Sequence, residues 1–363
     1  MTNPQQANPT RTSDRQERDM PPSGAVSYAD TAAPRTKSEP VSPDGNARSR
    51  PGVGFMSDEV YLRHWTGVGH PESPVRLAAI IDRLRDSGLW AALRQIPARQ
   101  GELEDILPVH RESYVQLVER EIERGYSMLS TGDTAVCKDS LTAAMWAVGG
   151  VLAAGEAVMS GEVRRAFCAV RPPGHHAASD RGMGFCIFNN VAALARHLQR
   201  KHGLGTILIV DWDVHHGNGT QEIFYEDDSV LFFSTHQWPL YPGTGRRSET
   251  GAGRGRGFTI NCPLPSGAGD REILAEFDQY LLPAAGKFKP QFVIISSGFD
   301  SRAEDPLGDL NVTDEGFAQL TRRVVAIAEE SAGGRVVSVL EGGYKPIGLG
   351  LAVEAHIREL GDY

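Results

Sequence analysis

The chain has 363 residues, a formal net charge of −9 and 40% hydrophobic residues. That length and apolar content suffice to bury a large core, and the acidic balance argues against a dedicated electrostatic binder of nucleic acid. Four cysteines (Cys137, Cys168, Cys186, Cys262) show no C-x-x-C spacing and three lie in or beside apolar runs, so buried free thiols in a reducing, cytoplasmic setting are expected.

The segment Met1 to Gly52 is rich in Pro, Ser, Thr, Asn, Arg and Asp and nearly devoid of large apolar residues. Such a segment cannot offset its ordering entropy by burial and is expected to be a disordered tail. It lacks the apolar centre of a secretory signal, its mixed acids fit a mitochondrial presequence poorly, and no apolar stretch of transmembrane length is expected in the chain. From Val53 to Tyr363 the pattern is continuous. These residues, about 310 of them, are expected to form a single α/β domain.

Within it, Ser73-Pro74 supplies a cap and first-turn proline for a helix over Val75 to Ser87, stopped at Gly88. An Ala-rich helix follows from Leu141 to Met159. Next come a strand at Ala166–Val170, a helix from Asn190 to Lys201, and strands at Thr206–Val210, Val230–Ser234 and Phe292–Ser296. Thr313 caps a helix over Asp314 to Glu330, and a last strand covers Arg335–Leu340. Strands alternating with helices imply right-handed crossovers and a mostly parallel sheet flanked by helices.

Each strand is followed at once by unusual residues. They are Arg171-Pro-Pro-Gly-His-His176, Asp211-Trp-Asp-Val-His-His216, Thr235-His236, Gly298-Phe-Asp300 and Glu341-Gly-Gly-Tyr344. Parallel α/β sheets place their ligands beyond the carboxyl ends of their strands, so these clusters read as the rim of one pocket. Asp213, His215 and Asp300 can converge there on one cation. Two carboxylates, one imidazole and an open fourth position fit a catalytic Zn²⁺, whereas acids that merely cap turns are the alternative.

Pro173-Gly-His-His-Ala177, Gly184-Phe-Cys186, Asp211-x-Asp-x-His-His-Gly-Asn-Gly219, Tyr241-Pro-Gly-Thr-Gly245, Gly298-Phe-Asp300, Asp305-Pro-Leu-Gly308 and Glu341-Gly-Gly-Tyr344 together resemble the zinc-dependent histone deacetylase family. That family also includes bacterial acetoin-utilisation and acetylpolyamine deacetylases. The likeness runs from about Tyr61 to Leu360, and Asn218, Gly298-Phe and the Glu341 stretch look closer to its class II. It implies an arginase/deacetylase-like fold and one Zn²⁺ per chain on Asp213, His215 and Asp300. It further implies His176 as general base oriented by Asn218, and His175 paired with Asp211, either staying charged or donating a proton later. Tyr344 would donate to the scissile carbonyl. Phe185 and Tyr241 resemble the aromatic walls of the family's channel, with Gly184 beside them. Asp133, in the Gly132-Asp-Thr loop, resembles a rim acid that grips the substrate backbone, with a turn-forming Asp a close second reading. A monovalent cation, K⁺, near Asp211, Asp213, His215, Ser234 and Thr235 is implied by the resemblance alone.

Leu307 stands where the polyamine-preferring class II member carries a glutamate, and the stretch Trp65 to Pro71 is short where bacterial polyamine enzymes have an insertion. Both favour an acetylated protein or peptide, or another uncharged acyl amide, over acetylpolyamines. An arginase-type reading needs a second metal, but Gly217 and Arg302 stand where its carboxylates would be. A silent binding module would be signalled by loss of Tyr344 or of a paired histidine, and all are present. His64, His70, His110, His197, His202 and His356 lack ligand spacing and read as solvated or structural. His216 is expected to pack behind the site, and Gly245 to Gly257 to form a flexible loop near the rim.

Overall fold

Apolar, β-branched runs build the centre of the molecule. In a computed structural model of the chain, which describes residues 52–361, eight strands form one sheet. They are β1 (Gly54–Met56), β2 (Arg94–Ile96), β3 (Arg165–Cys168), β4 (Ile207–Asp211), β5 (Val230–Gln237), β6 (Thr259–Leu264), β7 (Phe292–Ser297) and β8 (Val336–Leu340). Their order is β2-β1-β3-β8-β7-β4-β5-β6 and every pairing is parallel. The runs Ile207-Leu-Ile-Val210, Phe292-Val-Ile-Ile295 and Val336-Val337 are buried throughout, as strands covered by helices on both faces must be.

Ten α-helices accompany the sheet among the described residues: α1 (Val75–Asp86), α2 (Leu103–Ile106), α3 (Glu112–Glu123), α4 (Ser140–Met159), α5 (Asn190–His202), α6 (Asn218–Phe224), α7 (Asp270–Glu276), α8 (Leu282–Phe288), α9 (Asp314–Ser331) and α10 (Pro346–Gly361). Thr313 caps α9 as expected, its hydroxyl accepting from the Gly316 N–H. Ser73 does not cap α1. Pro74 is the N-cap and no side chain bonds to that helix end.

Three further differences have physical causes. Strands β1 and β2 are too short to show alternation, and Pro263 in β6 is tolerated because β6 is an edge strand. Strand β5 runs on to Gln237, so Thr235 and His236 lie inside it, because the backbone of Thr235 to Gln237 stays paired in register with Cys262 to Leu264 of β6 and both side chains are buried. Helix α4 corrects the expectation about apolar stretches: it is long and apolar enough to cross a bilayer, yet most of it is buried inside the domain. The tail expected as far as Gly52 lies outside the described residues, except for Gly52 itself.

Candidate active site

The chain leaves β3 for β4 across a gap that β8 and β7 later fill, so β3, β8, β7, β4 and β5 are consecutive neighbours. Their carboxyl ends therefore carry all five polar clusters side by side. This is the crevice that parallel α/β sheets use for ligands.

The β4 and β7 ends bring Asp213, His215 and Asp300 together, with candidate ligand atoms all within 4.8 Å of one another. His215 Nδ1 lies 3.1 Å from Asp213 Oδ1 and 3.2 Å from Asp300 Oδ2. The other carboxylate oxygens are held by backbone: the Gly342 N–H donates to Asp213 Oδ2 at 2.8 Å and the Val214 N–H to Asp300 Oδ1 at 2.8 Å. Asp300 Oδ2 is buried and makes no hydrogen bond of its own. A buried, unsatisfied carboxylate oxygen is costly unless something binds it. Burial first, then the neighbouring Asp213 charge, push the Asp300 carboxyl up to about 7. Against its own burial, the hydrogen bond to Asp213 and the Asp300 carboxylate beside it push His215 up to about 10. The cluster is thus short of positive charge, and its N/O donor set fits a divalent transition cation. Gly298 and Gly342 press against these carboxylates so closely that a methyl group at either would overlap Asp213 or Asp300.

His175 and His176 arrive from the β3 end. His175 Nδ1 is 3.0 Å from Asp211 Oδ2, and its Nε2 is 3.8 Å from Asp213 Oδ2. Burial would lower its pKa, but Asp213 and Asp211 together raise it well above the ordinary imidazole value. His176 Nδ1 is 2.7 Å from Asn218 Oδ1. Burial, with the His175 and His215 rings beside it, pushes His176 well below the ordinary value. One ring is therefore built to carry a proton and the other to lack one.

A cavity of about 270 Å³ opens above them, lined by His176, His215, Tyr344, Phe185, Gly184, Tyr241, Leu307 and Asp133, all anticipated, and by Leu240, which was not. The Tyr241 ring stands edge-on to His176 with centroids 5.3 Å apart, and the Phe185 ring stands likewise to Tyr344 at 6.0 Å. Asp133 sits at the rim: its Oδ1 accepts from the Gly184 N–H at 2.6 Å and faces the Tyr241 hydroxyl at 3.3 Å. It joins the two walls instead of closing a turn. Burial, then the Asp300 charge, hold the Tyr344 phenol well above its ordinary pKa, so it remains a donor.

Several supporting roles escaped the sequence reading. Glu341 accepts from the N–H groups of Gly174 and His175 at 2.7 and 3.1 Å, fixing the paired histidines. Arg76 donates to the carbonyls of Gly343 and Glu341 and lies 4.9 Å over the Tyr344 ring. Asp305 accepts from the Tyr344 N–H at 2.7 Å and the Leu307 N–H at 3.1 Å, coupling channel wall and phenol. Glu72, buried, gathers Arg171, Arg76 and His64 behind them. Glu341, Asp305 and Arg171 stand inside the motifs quoted from the sequence, which gave them no role, and Glu72 and Arg76 were marked only by their place beside the first helix.

The remaining expectations divide. The β4–β5 register sets Asp211 opposite Ser234, but the Ser234 hydroxyl is paired with His236 Nδ1 at 3.0 Å, while the buried Thr235 hydroxyl has no partner. His216 packs behind the site against Thr244 and Gln221. His64, His110 and His356 are buried and hydrogen-bonded, hence structural. The Gly245 to Gly257 loop is tied down rather than loose, since Glu249 accepts from the N–H groups of Gly245 and Arg246 and from Gln221.

A parallel α/β sheet with three side chains placed to hold a cation, paired histidines and a phenol at the floor of an aromatic channel fits an amide-hydrolysing deacetylase. Comparison with known proteins agrees. The histone deacetylase domain model matches residues 70–360. A "Probable deacetylase" of Archaeoglobus fulgidus is 45% identical over 294 residues, covering 80% of this chain and 81% of that protein. "Histone deacetylase 14, chloroplastic" of Arabidopsis thaliana is 40% identical over 309 residues, covering 80% and 73%. The crystal structure of the HDA15 HD domain superposes with a TM-score of 0.81 at 37% identity, covering 85% and 88% of the two chains. The chain belongs to the histone deacetylase family.

Proposed function

We propose that this protein is a zinc-dependent deacetylase acting on the ε-amino amide of acetylated lysine in proteins or peptides. One observation carries the reading. The cavity has an apolar, aromatic upper wall (Phe185, Tyr241, Leu307) above a floor that presents His176, His215 and Tyr344. An aliphatic stem threads such a channel by burying apolar area, without needing polar partners. Leu307 offers no charge to a secondary ammonium, which supports acetyl-lysine over acetylpolyamines.

When bound by Asp213, His215 and Asp300, Zn²⁺ would supply Lewis acidity to the amide oxygen and to the attacking water. His176 donates its Nδ1 proton to Asn218, which leaves the Nε2 lone pair facing the cavity to take the water proton. His175 holds its charge through Asp211. Tyr344 offers its phenol proton to the carbonyl oxygen as negative charge develops there. Asp133 supports a contact to the substrate backbone, because its exposed carboxylate stands at the rim. The Asp211, Asp213, His215, Ser234 and Thr235 neighbourhood is proposed to hold K⁺ as a structural ion, supported by the register that sets Asp211 opposite Ser234. Unpaired cysteines among the described residues support a reducing, cytoplasmic site of action.

The test is a turnover screen of the purified protein against acetyl-lysine peptides and acetylated polyamines. Faster turnover of polyamines would overturn the substrate assignment. No turnover of any acyl amide by the Zn²⁺-loaded protein would favour a silent binding module.

A further inference from the structure

A second group of metal-ligating side chains lies away from the catalytic crevice, on the seam between α4 and α5. Gly155 of α4 leaves room for Leu194 of α5, which a side chain at that position would displace. That close approach sets the next residue, Glu156, against the last turns of α5. His197 Nε2 is 2.7 Å and His202 Nε2 is 2.8 Å from the same oxygen, Glu156 Oε1. All three ligand atoms lie within 4.8 Å of one another. The other nitrogen of His197, Nδ1, faces Asp105 Oδ1 at 3.8 Å, and Asp105 is itself held by Arg99 at 2.9 Å. An imidazole that turns one nitrogen to a ligand cluster and the other to a carboxylate is the usual arrangement of a metal-bound histidine. A surface cavity of about 460 Å³, lined by Arg99, Asp105, His197, Arg200 and Lys201 among others, reaches this place from solvent.

From this juxtaposition we infer that Glu156, His197 and His202 form a second binding site, taking a divalent first-row transition cation such as Zn²⁺. Two imidazoles, one carboxylate and a solvent-facing fourth position form a borderline N/O donor set that such cations accept. Tetrahedral ligation at ~2.0–2.1 Å separates ligand atoms by roughly 3.3 Å, so Nε2···Oε1 distances of 2.7 and 2.8 Å need to open by only about 0.5 Å. The side chains are 12%, 23% and 32% exposed, which gives them that freedom. Lys201 Nζ, 3.2 Å from the other Glu156 oxygen, is 56% exposed and swings into solvent as the cation arrives. Binding also needs each histidine's proton on Nδ1, which in His197 faces Asp105. The bound ion clips the carboxyl ends of α4 and α5 together, a structural role separate from catalysis.

The experiment is a titration of the chelator-stripped full chain with Zn²⁺ against a chromophoric competitor, with elemental analysis of the gel-filtered product. Wild type should retain about two ions per chain, and Asp213→Ala/Asp300→Ala, lacking the catalytic ligands, about one. His197→Gln/His202→Gln should retain about one and keep its deacetylase activity, and Glu156→Gln should weaken the second ion alone by on the order of tenfold or more. Retention of about one ion by wild type would overturn the inference, as would a second ion untouched by the His197, His202 and Glu156 changes. Should the double histidine variant misfold, the Glu156→Gln titration decides. Loss of the ion that depends on Asp213 and Asp300 would refute the catalytic assignment instead, so the two failures are distinguishable.

Discussion

The strand-end cluster of Asp213, His215 and Asp300 and the helix-seam cluster of Glu156, His197 and His202 offer similar donors in opposite settings. The first is almost wholly buried, is wrapped by glycine backbone, and keeps one carboxylate oxygen with no hydrogen bond. The second is partly exposed, and its donors already satisfy one another. Burial makes the difference: an unsatisfied carboxylate oxygen in the crevice cannot turn to water, so leaving it without a cation is costly. At the seam, water and Lys201 can replace any ion. Glu72 and Glu156 repeat the contrast. Each collects three basic side chains, and each has its carboxyl lowered to about 2 against the desolvation that would raise it. Only Glu72 does so with no contact to solvent.

The strongest attempt to break this contrast is Asp300→Ala. Activity should fall to background and the catalytic ion should be lost, read by elemental analysis and turnover, while the seam ion stays. His176→Ala should lower kcat by roughly 10²–10⁴-fold with metal content unchanged, and near-normal turnover would remove His176 as the base.

Glu72→Gln leaves Arg171 and Arg76 buried without their counter-ion and should cost about 3–5 kcal/mol in denaturant unfolding. Because the folded carboxyl sits at about 2 against an ordinary 4.5, its stabilisation is present above the ordinary value and is lost as pH falls toward about 2. The wild-type stability profile should steepen in that window, and the variant's should flatten there.

Tyr344→Phe should cost about 3–4 kcal/mol of transition-state stabilisation, on the order of 10²–10³ in kcat, with little change in KM or fold. A trifluoroacetyl substrate, with its more electrophilic carbonyl, should lose less. Equal losses on both substrates would make Tyr344 a positioning group only. The smallest effect belongs to Glu156→Gln without added metal. Its basic neighbours are open to solvent, so stability should change by about 0–1 kcal/mol and turnover hardly at all.

Much of this was legible before any fold was seen. Five apolar runs announced the central strands, because strands buried on both faces leave a continuous hydrophobic signal. The residues after them supplied the proposed catalytic set, since His175, His176, Asp213, His215, Asp300 and Tyr344 each follow the end of a strand. Short or proline-bearing edge strands left no such mark. Helices α3 and α10 were not among the elements expected from the sequence, although Val115, Val118 and Ile122 or Leu349, Val353, Ile357 and Leu360 are buried at helical spacing.

What only the tertiary structure decided are contacts between distant residues. Glu72 meets Arg171 across 99 positions, and Arg76 reaches Gly343 across 267. In the sequence His197 and His202 read only as solvated or structural, and the gap at Gly155 is what brings Glu156 of α4 against them. Local pattern reports which face of a segment avoids water, because that preference is written in each segment's own side chains. Which charged groups then share one enclosed space depends on how the sheet orders its strands, and no segment carries that information alone.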